Sequence, residues 1–247
     1  MDKRGQIFLY IIVGFVILLI AGLGFYFHKN GFQLPFGQLR KIFLEVDNNI
    51  KSCLDKTVVD GIYFTGSQGG YYKSNVKKYN YLGYNVPYYF YKGRYAVPDN
   101  AFVSSEISDY INDNLYDCIN FDSLESKGFI FNKSGVTSSV KMNEKDMLIN
   151  IDSGIKVSLG SSSTGFDNYE KYVDFNYFNV LNTSRTVLVY GNNSIPMGFL
   201  SGLSYDKNFK FDVITLTNDT VLYIFYFDNK LREEPFRFTF AARYGWD

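Results

Sequence analysis

Histidine and cysteine are scarce in this chain, and no recognisable catalytic motif is present. The single histidine, His28, leaves no means of building a Ser-His-Asp or Cys-His arrangement away from that position. A Gly-x-Ser-x-Gly elbow, a Walker loop and a dinucleotide fingerprint are also missing from the sequence. These absences predict a protein that is not an enzyme and uses no cofactor or metal. A glycoside hydrolase remains the alternative, because its two carboxylates can come from distant strands.

The chain also has no excess of positive or negative side chains. The 247 residues contain 25 basic and 25 acidic side chains, so the formal net charge is zero. Nucleic-acid binding requires a basic face that neutralises phosphates. The balance therefore argues against a nucleic-acid partner.

The most informative segment is apolar and lies near the N-terminus. Residues 7–27 contain no charged side chain, and as a helix they would span roughly 31 Å, the thickness of the hydrocarbon core of a bilayer. Lys3 and Arg4 precede this segment, which by the positive-inside rule keeps the N-terminus in the cytoplasm. The sequence therefore predicts a single transmembrane helix with residues 30–247 outside the cell.

The lead Met-Asp-Lys-Arg-Gly-Gln, followed at once by the apolar segment, resembles the class III signal of archaeal pilins and related surface proteins. This resemblance implies that a membrane peptidase cuts between Gly5 and Gln6, and that the apolar helix remains as an anchor or filament core. Residues 53–70, a cysteine on an amphipathic helix followed by Gln-Gly-Gly-Tyr, are similar to uncharacterised archaeal single-pass surface proteins. That second resemblance implies a location and no activity.

Two amphipathic helices are predicted beyond the anchor, at residues 38–63 and 105–119, the second capped by Ser104 or Ser105. Cys53 and Cys118, the only two cysteines, lie on their apolar stripes. In an oxidising exterior such a pair favours a disulfide, since zinc would need more Cys or His ligands. Two free buried thiols are the alternative.

The remaining segments predict mainly strands. We expect a hairpin of residues 86–91 and 94–97, a three-strand meander over residues 136–142, 147–151 and 155–159, and a second hairpin of residues 172–181 and 186–190. Residues 195–203 are ambiguous, with a short helix as one interpretation. The final strands are expected at residues 209–215, 221–227 and 236–242, and the middle one is apolar on both faces, as a central strand would be.

Together these elements predict an α+β ectodomain, with two amphipathic helices packed on an antiparallel sheet. Residues 160–165, Gly-Ser-Ser-Ser-Thr-Gly, are interpreted as a flexible connector. The expected division is an anchor at residues 1–29, a first part at 30–160 and a β-rich second part at 166–247. Whether the last two parts form one domain stays open.

Tyrosine is concentrated in residues 71–95, which contain nine. Tyrosine has an apolar ring and a polar tip, so an exposed row of it suits contact with glycans or proteins. The alternative is ordinary strand tyrosine, half buried with its hydroxyl in water. The candidate binding face is Tyr84, Tyr88, Tyr89, Tyr91 and Tyr95.

Four Asn-x-Ser/Thr sequons occur in predicted turns, where an external domain could carry glycans. About three are expected by chance at this composition, so their number alone is not informative. They begin at Asn132, Asn182, Asn192 and Asn218.

These features predict a membrane-anchored structural or adhesion protein on the surface of an archaeal cell, with pilin-like assembly through the apolar helix as one form. The alternative is a surface module that binds glycans or proteins with the tyrosine-rich hairpin. The expected partners are the membrane, other copies of the chain or other envelope proteins, and glycans.

Overall fold

A computed structural model of the protein describes residues 12–22, 35–160, 162–191, 194–229 and 231–245. The chain divides into two compact units, Met1–Asn48 and Asn49–Asp247. Residues 12–22 form helix α1. Among the described residues, no helix has both the length and the apolar character needed to cross a membrane. Residues 7–11 and 23–27 of the predicted anchor lie outside the described residues, as do Gly5 and Gln6.

The fold is α+β, as predicted, and its sheets are mostly antiparallel. The remaining helices are α2 (Pro35–Ser67), α3 (Asn100–Cys118), α4 (Phe121–Glu125), α5 (Tyr177–Gly191) and α6 (Met197–Lys207). The strands are β1 (Lys78–Tyr81), β2 (Tyr84–Tyr91), β3 (Arg94–Tyr95), β4 (Ile130–Lys133), β5 (Thr137–Met142), β6 (Met147–Asp152), β7 (Ile155–Leu159), β8 (Ser162–Gly165), β9 (Tyr169–Val173), β10 (Phe209–Thr215), β11 (Thr220–Phe227) and β12 (Phe236–Arg243).

The main sheet has the strand order β1-β2-β12-β11-β10, with β3 paired to β2. Its one parallel pairing joins β2 to β12. Strand β11 is paired on both sides and is almost entirely buried, which confirms the prediction of a central strand. The predicted hairpin is also confirmed, because β2 and β3 pair antiparallel around Lys92 and Gly93, both at positive φ.

One face of this sheet carries the aromatic core of the unit and faces helices. The rings of Phe236 and Phe238 pack against Tyr177 of α5, and Phe236 also contacts Tyr63 of α2. Gly66 allows this close approach, because a Cβ atom there would overlap the Phe236 ring. Small and aromatic residues thus hold α2 and α5 on the sheet.

Both predicted helices are longer than expected. Helix α2 begins at Pro35, a residue tolerated in the first turn, and ends at Ser67 before two glycines at positive φ. Helix α3 begins earlier than predicted because Asp99 is its N-cap. The Asp99 carboxylate accepts a hydrogen bond from the Phe102 amide at 2.7 Å, so the predicted Ser104 or Ser105 cap is wrong.

A disulfide joins Cys53 of α2 to Cys118 at the end of α3, with the two Cα atoms 5.5 Å apart. This confirms the predicted pairing and rules out the alternative of two free thiols. The two cysteines are 65 residues apart in the sequence. The bridge therefore fixes two helices to each other that are distant along the chain.

The predicted second hairpin is wrong, because residues 177–191 form helix α5. The buried positions of α5 include Tyr177, Val180, Leu181, Ser184 and Val187, which recur at steps of three and four residues. The β-branched and aromatic residues of this segment suggested a strand, but its burial follows the helical period. The short helix considered for residues 195–203 is present as α6.

The prediction of a three-strand meander is also wrong. Strands β5 and β6 form the expected hairpin, but β6 then pairs with β9, whereas β7 pairs with β4 and β8. Residues 162–165 are strand β8 and not a flexible connector. The backbone of this Ser/Thr-rich segment is hydrogen-bonded to β7, a pairing that composition alone does not indicate.

Candidate functional site

The site with the most distinctive chemistry is a cleft of about 520 Å³ in the unit 49–247. Helix α2, helix α3, the main sheet and the connection between β11 and β12 all contribute to it. We call it the aromatic cleft; it is lined by Asp60, Tyr63, Phe64, Ser67, Tyr84, Tyr110, Tyr226, Arg232, Glu234, Pro235 and Arg237. Five of these eleven side chains are aromatic.

Helices α2 and α3 set one aromatic wall. The ring centroids of Phe64 and Tyr110 are 5.3 Å apart, and the Tyr72 ring contacts both, at 5.7 and 5.2 Å. Phe64 remains 41% exposed, so part of its apolar ring faces solvent. The disulfide joins the same two helices, at Cys53 and Cys118.

The loop that carries Tyr72 is fixed by one buried carboxylate. Glu106 of α3 is only 3% exposed, and its Oε2 accepts hydrogen bonds from the amides of Tyr72 at 2.5 Å, Lys73 at 2.8 Å and Ser74 at 3.3 Å. The Ser74 hydroxyl donates to Oε1 at 2.5 Å. Glu106 is therefore a positioning residue for the wall beside the cleft.

An ion-pair cluster forms another part of the lining. The Arg232 guanidinium pairs with the Asp60 carboxylate and, at 3.3 Å, with the Glu234 carboxylate. The same guanidinium lies 4.3 Å from the centre of the Tyr63 ring, a cation–π distance. One cation therefore satisfies two carboxylates and covers one aromatic ring.

Arg237 is held differently. Its Nε donates to the Thr239 hydroxyl at 3.1 Å, and its guanidinium carbon lies 5.2 Å from the centre of the Tyr84 ring. Among the described residues, no carboxylate forms an ion pair with it. The cleft thus contains an aromatic ring beside a guanidinium that has no ion-pair partner among the described residues.

The tyrosine hydroxyls of the cleft are of two kinds. The Tyr63 hydroxyl lies 2.9 Å from Asn229 Oδ1, and the Tyr226 hydroxyl donates to Asp212 at 3.0 Å. The hydroxyls of Tyr84 and Tyr110 have no hydrogen-bond partner in the described parts of the chain. Burial raises the pKa of Tyr63, Tyr110 and Tyr226, so these phenols stay protonated at neutral pH.

This arrangement suits binding better than hydrolysis. Glycosidic bond cleavage requires one carboxyl as acid and another as nucleophile or base, whereas Asp60 and Glu234 both pair with Arg232. Within the described ranges, no group of three His, Cys, Asp or Glu side chains could hold a metal ion. Within the described residues, the cleft offers ring faces, two hydroxyls without hydrogen-bond partners and one guanidinium without an ion-pair partner.

The structure separates the five tyrosines of the predicted binding face. Tyr84 is 46% exposed and lines the cleft. Tyr89 is fully buried, stacks on Phe240 at 4.7 Å and donates its hydroxyl to the Gly69 carbonyl at 2.6 Å, so its assignment to an exposed face is wrong. Tyr95 is half exposed on strand β3, where it packs on Phe90.

Tyr88 and Tyr91 point to the same side because a bulge interrupts the pairing of β2 with β12. Their rings are 5.2 Å apart, and the Lys77 ammonium lies 3.6 Å from the centre of the Tyr91 ring. A hydrogen bond with Lys77 is the main cause of a lowered pKa at Tyr91. Arg243 also approaches Tyr91, but its Nε is paired with Asp219 at 2.7 Å.

Other cavities are poorer in rings. One of about 580 Å³ has Tyr169 as its single aromatic side chain, and one of about 600 Å³ between α3 and β5 has none. Both are lined largely by serine, threonine and asparagine side chains. The aromatic cleft is therefore the stronger candidate for ligand recognition.

The predicted positions of the sequons are partly wrong. Asn132 lies in β4 and Asn182 in α5, where its Oδ1 accepts a hydrogen bond from Arg185 at 3.0 Å. Asn218 lies in the exposed turn between β10 and β11, as expected. Asn192 lies outside the described residues. Glycosylation remains a prediction; Asn132 and Asn218 are exposed, whereas Asn182 is partly buried.

Most residues of the cleft were not identified from the sequence. Asp60 and Arg232 are remote in sequence, and neither belongs to a motif. The adjacent aromatics Tyr63 and Phe64 near the end of an amphipathic helix were the one local signal, because they directly follow Ile62, which already lies on the apolar stripe of that helix. Arg237 could not be singled out, because its lack of a partner depends on the fold.

Comparisons of the chain with protein-family models, curated proteins and solved structures found no match.

Proposed function

We propose that this chain is a membrane-anchored protein of an archaeal cell surface, with an adhesive ectodomain that binds saccharides in the aromatic cleft. The observation that carries the proposal is the convergence of five aromatic side chains on one cleft of about 520 Å³, a volume usual for small-ligand sites. A sugar ring presents C–H groups on its faces and hydroxyls at its rim. Aromatic faces suit the first, and free tyrosine hydroxyls suit the second.

Two features support a place outside the cell. The apolar run of residues 7–27 follows Lys3 and Arg4, the charge order that directs the C-terminal part across a membrane. The disulfide between Cys53 and Cys118 is of a kind that persists in oxidising compartments. Both features are consistent with the resemblance of the N-terminus to the class III signal.

Processing and assembly have a direct test. The mass of the N-terminal peptide of the protein recovered from its native envelope should correspond to a chain that begins at Gln6. Filaments visible by electron microscopy would then support pilin-like assembly. A chain that retains Lys3 and Arg4 would contradict the processing and leave a plain signal anchor.

Saccharide binding is tested with the full chain in detergent micelles on an array of oligosaccharides. We expect retention on the array, and a loss of at least about fivefold in affinity for Tyr84→Ala and for Tyr110→Ala, because each removes one ring face. Tyr205→Ala is the matched control, since Tyr205 is 89% exposed and does not line the cleft. Absence of retention, or equal losses in all three variants, would contradict the proposal; retention of an envelope protein would favour the alternative of a protein partner.

A further inference from the structure

The aromatic cleft is lined by two acidic and two basic side chains, and one of the two basic side chains has no ion-pair partner among the described residues. Asp60, Arg232 and Glu234 form one cluster in which a single guanidinium serves two carboxylates. Arg237 is the fourth charged side chain of the lining. It makes one hydrogen bond through Nε, and in the described parts of the chain its two terminal nitrogens have no partner.

A second arginine on the same face of β12, Arg243, has an ion-pair partner and serves as a comparison for Arg237. Arg237 and Arg243 are six residues apart on one strand, so their side chains point the same way. Each guanidinium lies beside a tyrosine ring, at 5.2 Å from Tyr84 and 5.6 Å from Tyr91. Arg243 pairs with Asp219 at 2.7 Å, whereas no carboxylate of the described residues forms an ion pair with Arg237.

We propose that the saccharide bound in the aromatic cleft is acidic, and that Arg237 binds its carboxylate. This inference rests on the proposed function and names the ligand class. A guanidinium presents a planar fork of donors that matches both oxygens of a carboxylate. The Nε bond to Thr239 holds the plane of Arg237, which leaves the terminal nitrogens for the ligand.

The neighbouring groups favour an acidic sugar over an acidic peptide. The Tyr84 ring lies beside the Arg237 guanidinium, so a ligand carboxylate on Arg237 places the attached ring close to an aromatic face. The hydroxyls of Tyr84 and Tyr110 have no partner among the described residues and can bond the ring hydroxyls of a sugar. A glutamate or aspartate side chain has no ring for the aromatic faces and no hydroxyls for the phenols.

The test compares acidic and neutral saccharides on the same protein. The full chain in detergent micelles is titrated with oligogalacturonate and with the same oligosaccharide after chemical reduction of its carboxyl groups, together with an array of uronate-containing and neutral oligosaccharides. We expect the tightest ligands to be acidic, and reduction of the carboxyl groups to weaken binding about tenfold to a hundredfold, as for loss of a charge-assisted hydrogen-bond pair.

Variants assign this preference to Arg237. Arg237→Gln should lose the difference between the acidic and reduced saccharides, and Arg237→Lys should retain part of it. Lys156→Gln is the matched control, because it removes one exposed positive charge outside the cleft and should leave binding unchanged.

The outcomes separate the two proposals. If saccharides bind and Tyr84→Ala weakens them, but acidic and reduced forms bind equally, the inference about Arg237 is wrong while the proposed function stands. If neither form of any saccharide binds, both proposals are wrong. Tighter binding of a poly-glutamate peptide than of any saccharide would assign the cleft to an acidic peptide instead.

Discussion

Replacement of Glu106 by glutamine should destabilise the ectodomain, although the two side chains have nearly the same shape. The Glu106 carboxylate accepts four hydrogen bonds from Tyr72, Lys73 and Ser74 while almost completely buried. The substitution creates no cavity. Any loss of stability therefore reports the charge and its hydrogen bonds.

The size of the effect follows from those bonds. A hydrogen bond to a charged group contributes about 1.5–3 kcal/mol, and a neutral one about 1 kcal/mol. Glutamine keeps one acceptor oxygen for the amides, but it removes the charge assistance. We expect Glu106→Gln to lower the free energy of unfolding by about 2–4 kcal/mol, because the bonds share one carboxylate and do not add fully.

The effect should depend on pH. Burial of the Glu106 carboxylate raises its pKa, but the hydrogen bonds from Ser74 and from the backbone amides of Tyr72 and Lys73 outweigh burial, and the net pKa lies below its ordinary value of 4.5. A carboxyl whose pKa is lower in the folded than in the unfolded state stabilises the fold. This stabilisation is complete when the pH is above the unfolded-state pKa, and it is lost as the pH falls through the folded-state pKa. The difference between wild type and Glu106→Gln should therefore shrink below about pH 4.

Two measurements check this prediction. Chemical denaturation followed by circular dichroism gives the change in unfolding free energy, and hydrogen exchange followed by mass spectrometry gives the protection of residues 72–74. Glu125→Gln is the control, because Glu125 is exposed on α4 and should change stability by less than about 0.5 kcal/mol. Equal stability of Glu106→Gln and the control, or unchanged protection of residues 72–74, would refute the role assigned to Glu106.

Three further predictions concern the core. Reduction of the Cys53–Cys118 disulfide should lower the free energy of unfolding by about 4 kcal/mol in the chain-entropy model for a loop of this length; equal denaturation midpoints with and without reductant would contradict it. Gly66→Ala should cost about 1–3 kcal/mol, because the new Cβ overlaps the Phe236 ring, and an unchanged melting temperature would be inconsistent with that packing. Tyr89→Phe should cost about 1 kcal/mol, through loss of its buried hydrogen bond, and should leave saccharide binding unchanged; reduced binding would restore Tyr89 to the binding face.

Elements governed by local periodicity were predicted well. The amphipathic stripe of α2, the hairpin around Lys92 and Gly93, and the apolar strand β11 all have sequence signals that act over a few residues. The disulfide followed from two cysteines on two such stripes. Segments where strand-forming residues lie on a helical period, as in α5, misled the prediction because propensity is weaker than burial.

By itself, the sequence determined the α+β class and the concentration of tyrosine in residues 71–95, and it favoured a bridge between Cys53 and Cys118 over two free thiols. Tertiary structure alone decided which tyrosines are exposed and which charged side chains form ion pairs. The parallel pairing of β2 with β12 brings Tyr84 beside Arg237, although most of the chain separates them. Strand partners are selected by burial between remote segments, so no local signal could place these two side chains in one cleft.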